Sequence, residues 1–185
     1  MSGLDEVDEI TAWVGLEGIP SALVGARDAV DALLRDRGMR RTTPELTAES
    51  LLRGAAASAL LEGGLGGSFD VAVEALRGGA AGPLATRAAR LNAALLSLVP
   101  VVNRSPLQAL ARLHTLAAAG QTRDDGLGRP RPEPGVASRL QWLSRAILVA
   151  TDVPAIAVAG IAHAEVATLA PFDGANGLVA RAFER

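Results

Sequence analysis

The chain has no cysteine, no tyrosine and no lysine, and only 3% of its 185 residues are aromatic. Without cysteine there is no disulfide framework, no thiolate metal site and no thiol nucleophile, so the redox state of its surroundings leaves no mark on it. Charge of one sign is lacking too. All 18 basic side chains are arginine, 20 acids oppose them, and the formal net charge is −2 with a sequence pI of about 5.7. That balance supplies no basic field of the kind that nucleic acids or anionic membranes recruit, and neither partner is expected. Mean hydropathy is +0.27, yet the long uncharged stretch 91–103, closed by Arg90 and Arg104, falls short of the roughly 18–20 apolar residues of a spanning helix. It reads as a buried core helix. Asp5, Glu6, Asp8 and Glu9 are the reverse of a cationic secretory start, which predicts a cytoplasmic protein.

What the chain does have is alanine and leucine. Hydrophobic residues make up 49% of it, β-branched and aromatic ones are sparse, and that balance favours packed helices over long sheets. An all-α bundle in one domain, 1–185, is the expectation. Ser2 with Asp5 resembles a capping arrangement for a first helix ending near Leu16. A second helix is expected after Pro20, ending near Gly38, with Val30, Leu33 and Leu34 on its apolar face. The cluster Arg35, Arg37, Arg40 and Arg41 then compensates its dipole, or alternatively docks an acidic partner. Thr42, Pro44 and Glu45 start a third helix, stopped by Gly63 and Gly64, with Ser58 and Glu62 one turn apart on one face. Shorter helices fit 70–77 and 83–98. Ser105, Pro106 and Gln108 have the form of a capping box for a helix reaching Ala119. Segment 120–135 concentrates turn chemistry and charge, and Asp125–Gly126 is a candidate hairpin turn, so this is an exposed loop or a small β-hairpin flap. Helices over 136–150 and 154–169 follow.

Segment 170–181, APFDGANGLVAR, is the least regular part of the chain. Gly174, Asn176 and Gly177 let backbone N–H groups converge ahead of a helix start, an arrangement suited to anions. With the preceding helix AVAGIAHAEVATL, this segment resembles the core of the Fic (Fido) family, whose motif is H-P-F-x-[DE]-G-N-G-[RK]-x-x-[RK]. Pro171, Phe172, Asn176, Gly177 and Arg181 match in place. Upstream, Ser58-Ala-Leu-Leu-Glu62-Gly63 is similar to the family's inhibitory helix, [ST]-x-x-x-E-[GN]. Residues 126–131 sit where the family has its substrate-aligning flap, and 132–143 resembles the helix after it. The likeness divides the chain into N-terminal helices (1–47), an inhibitory-like helix (48–64) and a Fic-like core (83–185). Family members continue in helix beyond Arg181, so the core is expected to be short there.

The resemblance implies transfer of AMP from ATP to a protein hydroxyl, but the motif is degenerate. Ala170 stands where the family has its histidine base, and general-base help is worth about 10²- to 10⁴-fold. Gly174 stands at the magnesium-holding acid. Asp173 beside it is the candidate metal ligand, with a turn or helix-entry aspartate as the alternative. Ala175 replaces a glycine, and its Cβ opposes any positive φ. Leu178 replaces an arginine and cannot supply a bidentate phosphate donor. Asn176, Gly177 and Arg181 remain as candidate nucleotide- or phosphate-binding residues, and Ser58, Glu62 and Gly63 as inhibitory-like ones. With Leu178 in place of a cation, Glu62 is expected to pair with Arg181 or to be solvated. His163, about 10 Å back along its helix from Ala170, and His114 read as structural.

The expected function is therefore a Fic-like protein without AMP transfer, serving as a binding or regulatory module for a protein, a nucleotide or a second copy of itself. The alternatives are a nucleotidyl- or phospho-group transferase of altered mechanism, using ATP or a related nucleotide with Mg²⁺, and a purely structural module.

Overall fold

A computed structural model of the chain describes residues 3–36, 42–63 and 67–185, with side chains from Asp8 onward. Regular structure among them is helical throughout: α1 (Gly3–Val14), α2 (Ile19–Arg35), α3 (Pro44–Leu61), α4 (Phe69–Arg77), α5 (Pro83–Val102), α6 (Pro106–Ala118), α7 (Val136–Val149), α8 (Ala155–Leu169) and α9 (Asn176–Phe183), with one 3₁₀ turn at Asp124–Gly126. None of the described helices is long and apolar enough to cross a membrane. Ser2, Arg37, Gly38, Arg40, Arg41 and Gly64, on which several expected helix ends rest, lie outside the described residues.

Local chemistry accounts for most boundaries. Thr43 caps α3 by accepting the Leu46 N–H at 3.3 Å, with Pro44 in the first turn where its missing N–H is harmless. Ser68 does the same for α4 through the Val71 N–H. Two expectations need correction. Ser105 makes no side-chain cap bond, because its backbone is turned away at φ −153° and ψ 81°; α6 starts instead on backbone bonds from Gln108 and Ala109 to the Ser105 carbonyl. Helix α5 also passes the expected end at Leu98 and runs through Pro100 to Val102, since a proline near the last turn forfeits only one hydrogen bond.

The main core is small and aliphatic: Ile10 from α1, Leu91 from α5, Leu110 and Leu113 from α6, Leu143 from α7, Val166 from α8 and Val179 from α9 are at most 2% exposed. Alanines 55, 59, 85, 88 and 117 are wholly buried, and this lets α3 lie against α5 and α5 against α6 at close range. Helix α4 closes a smaller cluster, Ala72 and Val73 on Ala56. Helix α2 contributes no buried residue. Helix α9, packed on α6 and α8, brings the 170–176 loop to the end of the bundle where α3 finishes.

Candidate functional site

The loop between α8 and α9 is built on two alanines in the left-handed region, Ala170 (φ 43°) ending α8 and Ala175 (φ 55°) starting α9, with Gly174 at φ 95° between them. Alanine pays about 1 kcal/mol for that geometry. Position 175 therefore adopts the positive φ that its Cβ opposes, and the surroundings hold it there. The Asn176 amide accepts the Phe172 N–H and donates to the Phe172 carbonyl, both at 2.9 Å. Both ends of this side chain are thus committed to closing the loop on itself.

A second segment stitches the loop down. Arg131 donates from Nε to the Ala170 carbonyl at 2.9 Å and from Nη2 to the Leu169 carbonyl at 3.3 Å, satisfying the exposed carbonyl end of α8. Its own N–H reaches the Pro171 carbonyl, and Thr122 Oγ1 donates to the Asp173 carbonyl at 2.9 Å. Segment 120–135 is accordingly a fastened loop, and the β-hairpin alternative is corrected: there is no strand among the described residues. Asp125 and Gly126 are not at positive φ, which a two-residue hairpin turn of that sequence requires.

His114 lies beneath both segments, 0% exposed. Its ring stacks on Phe172 with centroids 4.2 Å apart, and Nδ1 accepts the Gly128 N–H at 2.9 Å. That bond puts the proton of the neutral ring on Nε2. Burial holds its pKa below the ordinary 6.5, outweighing the Asp173 carboxylate and the Gly174 backbone, which act to raise it. His163 has Nδ1 2.6 Å from a Glu184 carboxylate oxygen.

Across from the loop stands the end of α3. Arg181 Nη2 lies 2.5 Å from Glu62 Oε1, and the same guanidinium donates to Ser58 Oγ and to the Ser58 carbonyl, each at 3.3 Å. Ser58 and Glu62 therefore act together as two contacts of one clasp, with Gly63 at φ 73° ending the helix behind them. Of the two expectations for Glu62, pairing with Arg181 is the one observed. The carboxylate sits so close over the first turn of α9 that a methyl group at Gly177 would overlap it. Glycine is needed at 177 for this approach. Leu178, one residue on, belongs to the main core and is 1% exposed. Asp173 and Gly174 are exposed, and no group of three or more His, Asp or Glu side chains suited to a metal occurs among the described residues.

Sequence reasoning missed Thr122, Gly128 and Arg131. Their partners lie 14 to 51 positions away, and the only local signal was an arginine in a glycine-rich turn segment.

No family model matches the chain, and no curated protein matches it. Among solved structures it is similar to a Fic family protein from Desulfovibrio desulfuricans G20, with 18% identity and a TM-score of 0.57. The match covers 98% of this chain and 55% of that one. The fold is thus the all-helical Fic-like one, and the chain spans about half the length of its structural neighbour.

Proposed function

We propose that the chain is a Fic-like binding or regulatory module that has lost AMP transfer and keeps an anion-binding clasp, its own Glu62 holding the place of a nucleotide phosphate. The observation that carries this reading is the Glu62 carboxylate on Arg181 over the N-terminus of α9. A helix N-terminus beside a guanidinium attracts any anion, a carboxylate or a phosphate alike. With alanine at 170 no side chain there takes a proton from an attacking hydroxyl, and with leucine buried at 178 one phosphate donor of the family motif is missing.

In this reading Arg181 and the backbone of Gly177 meet the phosphate, Asn176 keeps the loop in shape without touching the ligand, and Ser58 and Glu62 compete for the guanidinium. Asp173 offers one carboxylate, enough for a Mg²⁺ that draws its other ligands from phosphate oxygens and water.

Calorimetric titration of ATP, ADP and inorganic phosphate, with and without Mg²⁺, into the wild type and Glu62→Gln tests this. The variant is expected to bind a nucleotide at least 10-fold more tightly, about 1.4 kcal/mol. No binding to either protein across the panel would sink the proposal and favour a purely structural module. A second reading, a transferase of altered mechanism, draws on the exposed Asp173 carboxylate next to the loop; transfer of label from α-labelled ATP to a protein hydroxyl by Glu62→Gln would establish it in place of the first.

A further inference from the structure

Among the described residues the buried polar side chains are Ser58, Arg87, Asn92 and His114. Three of these have a partner. Ser58 Oγ accepts Arg181 Nε, Asn92 donates to the Ala88 carbonyl and accepts Arg185 Nη1, and His114 Nδ1 accepts the Gly128 N–H. Arg87 on α5 is the exception. It is 9% exposed, its Nε is sealed from solvent with no hydrogen-bond partner, and no ion pair or ring contact reaches it. Arginine does not shed its charge on burial as lysine can, and an enclosed guanidinium without an acceptor is costly to keep. An anion would offset that cost.

Helix register puts Arg87 in the layer of the clasp. A methyl group at Gly54 would lie 3.0 Å from Asn92 Oδ1, so α3 and α5 are level there, and Leu46 and Leu51 share a cleft with Leu95 and Leu96, so the two helices run antiparallel. One turn toward the site, Ser58 is level with Ala88, the neighbour of Arg87. Helix α9 agrees, since Arg185 meets Asn92 and Arg181, one turn earlier, meets Ser58. Arg87 thus stands at the height of Arg181, on a helix packed on both α3 and α9. Side chains lean toward the N-terminus of their helix, which in α5 is the end level with Glu62.

We propose that Arg87 is a second phosphate cation of this site, left without a protein acceptor so that an oxyanion can take its fork. It stands in for the motif arginine that Leu178 replaces, the charge absent from α9 being supplied from α5. This inference rests on the anion-binding reading of the clasp and adds the chemistry of the ligand. Glu62 answers Arg181 and leaves Arg87 unanswered. A dianionic phosphate group has oxygens and charge enough for both guanidinium groups, which a single carboxylate has not.

Thermal unfolding of the full chain and calorimetric titration of inorganic phosphate and ADP test this in Arg87→Met and Arg87→Lys, each alone and combined with Glu62→Gln. Without ligand, Arg87→Met is expected to melt roughly 2–4 °C above the wild type, because an apolar side chain of similar length removes an unanswered charge. In the Glu62→Gln background Arg87→Met should bind phosphate at least 10-fold more weakly. Arg87→Lys should fall between, since an ammonium keeps the charge and loses the fork. A lower melting temperature for Arg87→Met would mean that the protein itself holds the guanidinium, and overturns the proposal. Equal phosphate affinity in Glu62→Gln with and without Arg87→Met overturns it too, while leaving the clasp standing. No binding of phosphate or ADP by any variant removes both readings.

Discussion

Arg139 and Arg181 each clasp a glutamate across helices, and the two clasps are not equivalent. Arg139 on α7 grips Glu165 on α8 with both sides of its fork, Nε and Nη2 each 2.7 Å from a separate carboxylate oxygen. Its guanidinium lies 4.3 Å over the Trp142 ring, and Glu9 of α1 approaches at 3.6 Å. The Glu165 hydrogen bond is the largest reason that the Arg139 pKa is raised. Arg181 meets Glu62 through one oxygen and donates to Ser58 from Nε and Nη2. The first carboxylate is 11% exposed and the second 28%. A carboxylate held at both oxygens by a stacked guanidinium is part of the architecture of α1, α7 and α8. A carboxylate held at one oxygen, over the positive end of a helix, is in the proposed reading one that gives way to another anion. Surroundings, and not the residue pair, separate the two.

The largest effect is expected from trying to strengthen the weaker clasp. Leu178→Arg supplies the first cation of the Fic family motif in sequence, but the side chain at 178 faces the core. The variant should lose about 3 kcal/mol or more in urea unfolding, the cost of burying an unpaired charge. A stable variant with tighter phosphate binding would show instead that α9 can turn. Next comes the direct contrast. Arg139→Ala strands Glu165 and removes the contact with Trp142, with an expected loss of about 2 kcal/mol after allowing for the partial exposure of Arg139. Glu62→Gln should change stability by no more than about 0.5 kcal/mol. Equal losses in the two unfolding curves would erase the distinction between an architectural and an exchangeable clasp.

The smallest effect is one of pH. His114, below the site loop, is held neutral by burial, so its folded-state pKa lies under the 6.5 of an unfolded chain. Above 6.5 both states are neutral and the histidine costs nothing. As pH falls through 6.5 toward the lower folded value, the unfolded state takes the proton first and stability declines. Protonation of Nδ1 would also break the Gly128 tether. The melting temperature of the wild type should drop between pH 7.5 and 5.5 more than that of His114→Asn, whose amide oxygen can still accept the Gly128 N–H. Parallel drops would mean that other groups carry the acid sensitivity.

Much of the framework was legible in the sequence because it is locally encoded. Pro44, Gly63, and the starts at Pro83 and Pro106 all act within a turn of their own position, although the residue that caps α3 is Thr43 and not the expected Thr42. So does the one-turn spacing of Ser58 and Glu62, which put both on one face before their partner was known. The misreadings share a cause. Ser105 looks like a cap, and Asp125–Gly126 like a hairpin turn, because those residues favour such geometry; the backbone around them is set by distant contacts instead, Arg131 and Thr122 fastening the loop to residues 169–173. Ala170 and Ala175 show the same effect most sharply, since no local preference would place alanine at positive φ.

The sequence by itself determined the class of fold and which side chains stand at positions 170–181. Alanine and leucine at helical spacing leave few alternatives to packed helices, and an alanine at position 170 has no proton acceptor in any conformation. Only the tertiary structure decided that Arg181 pairs with Glu62, that Leu178 serves the core, and that α8 buries only Ala162 and Val166. Those outcomes depend on which faces of α2, α3, α8 and α9 meet, and that is settled by the summed packing of side chains far apart in the chain.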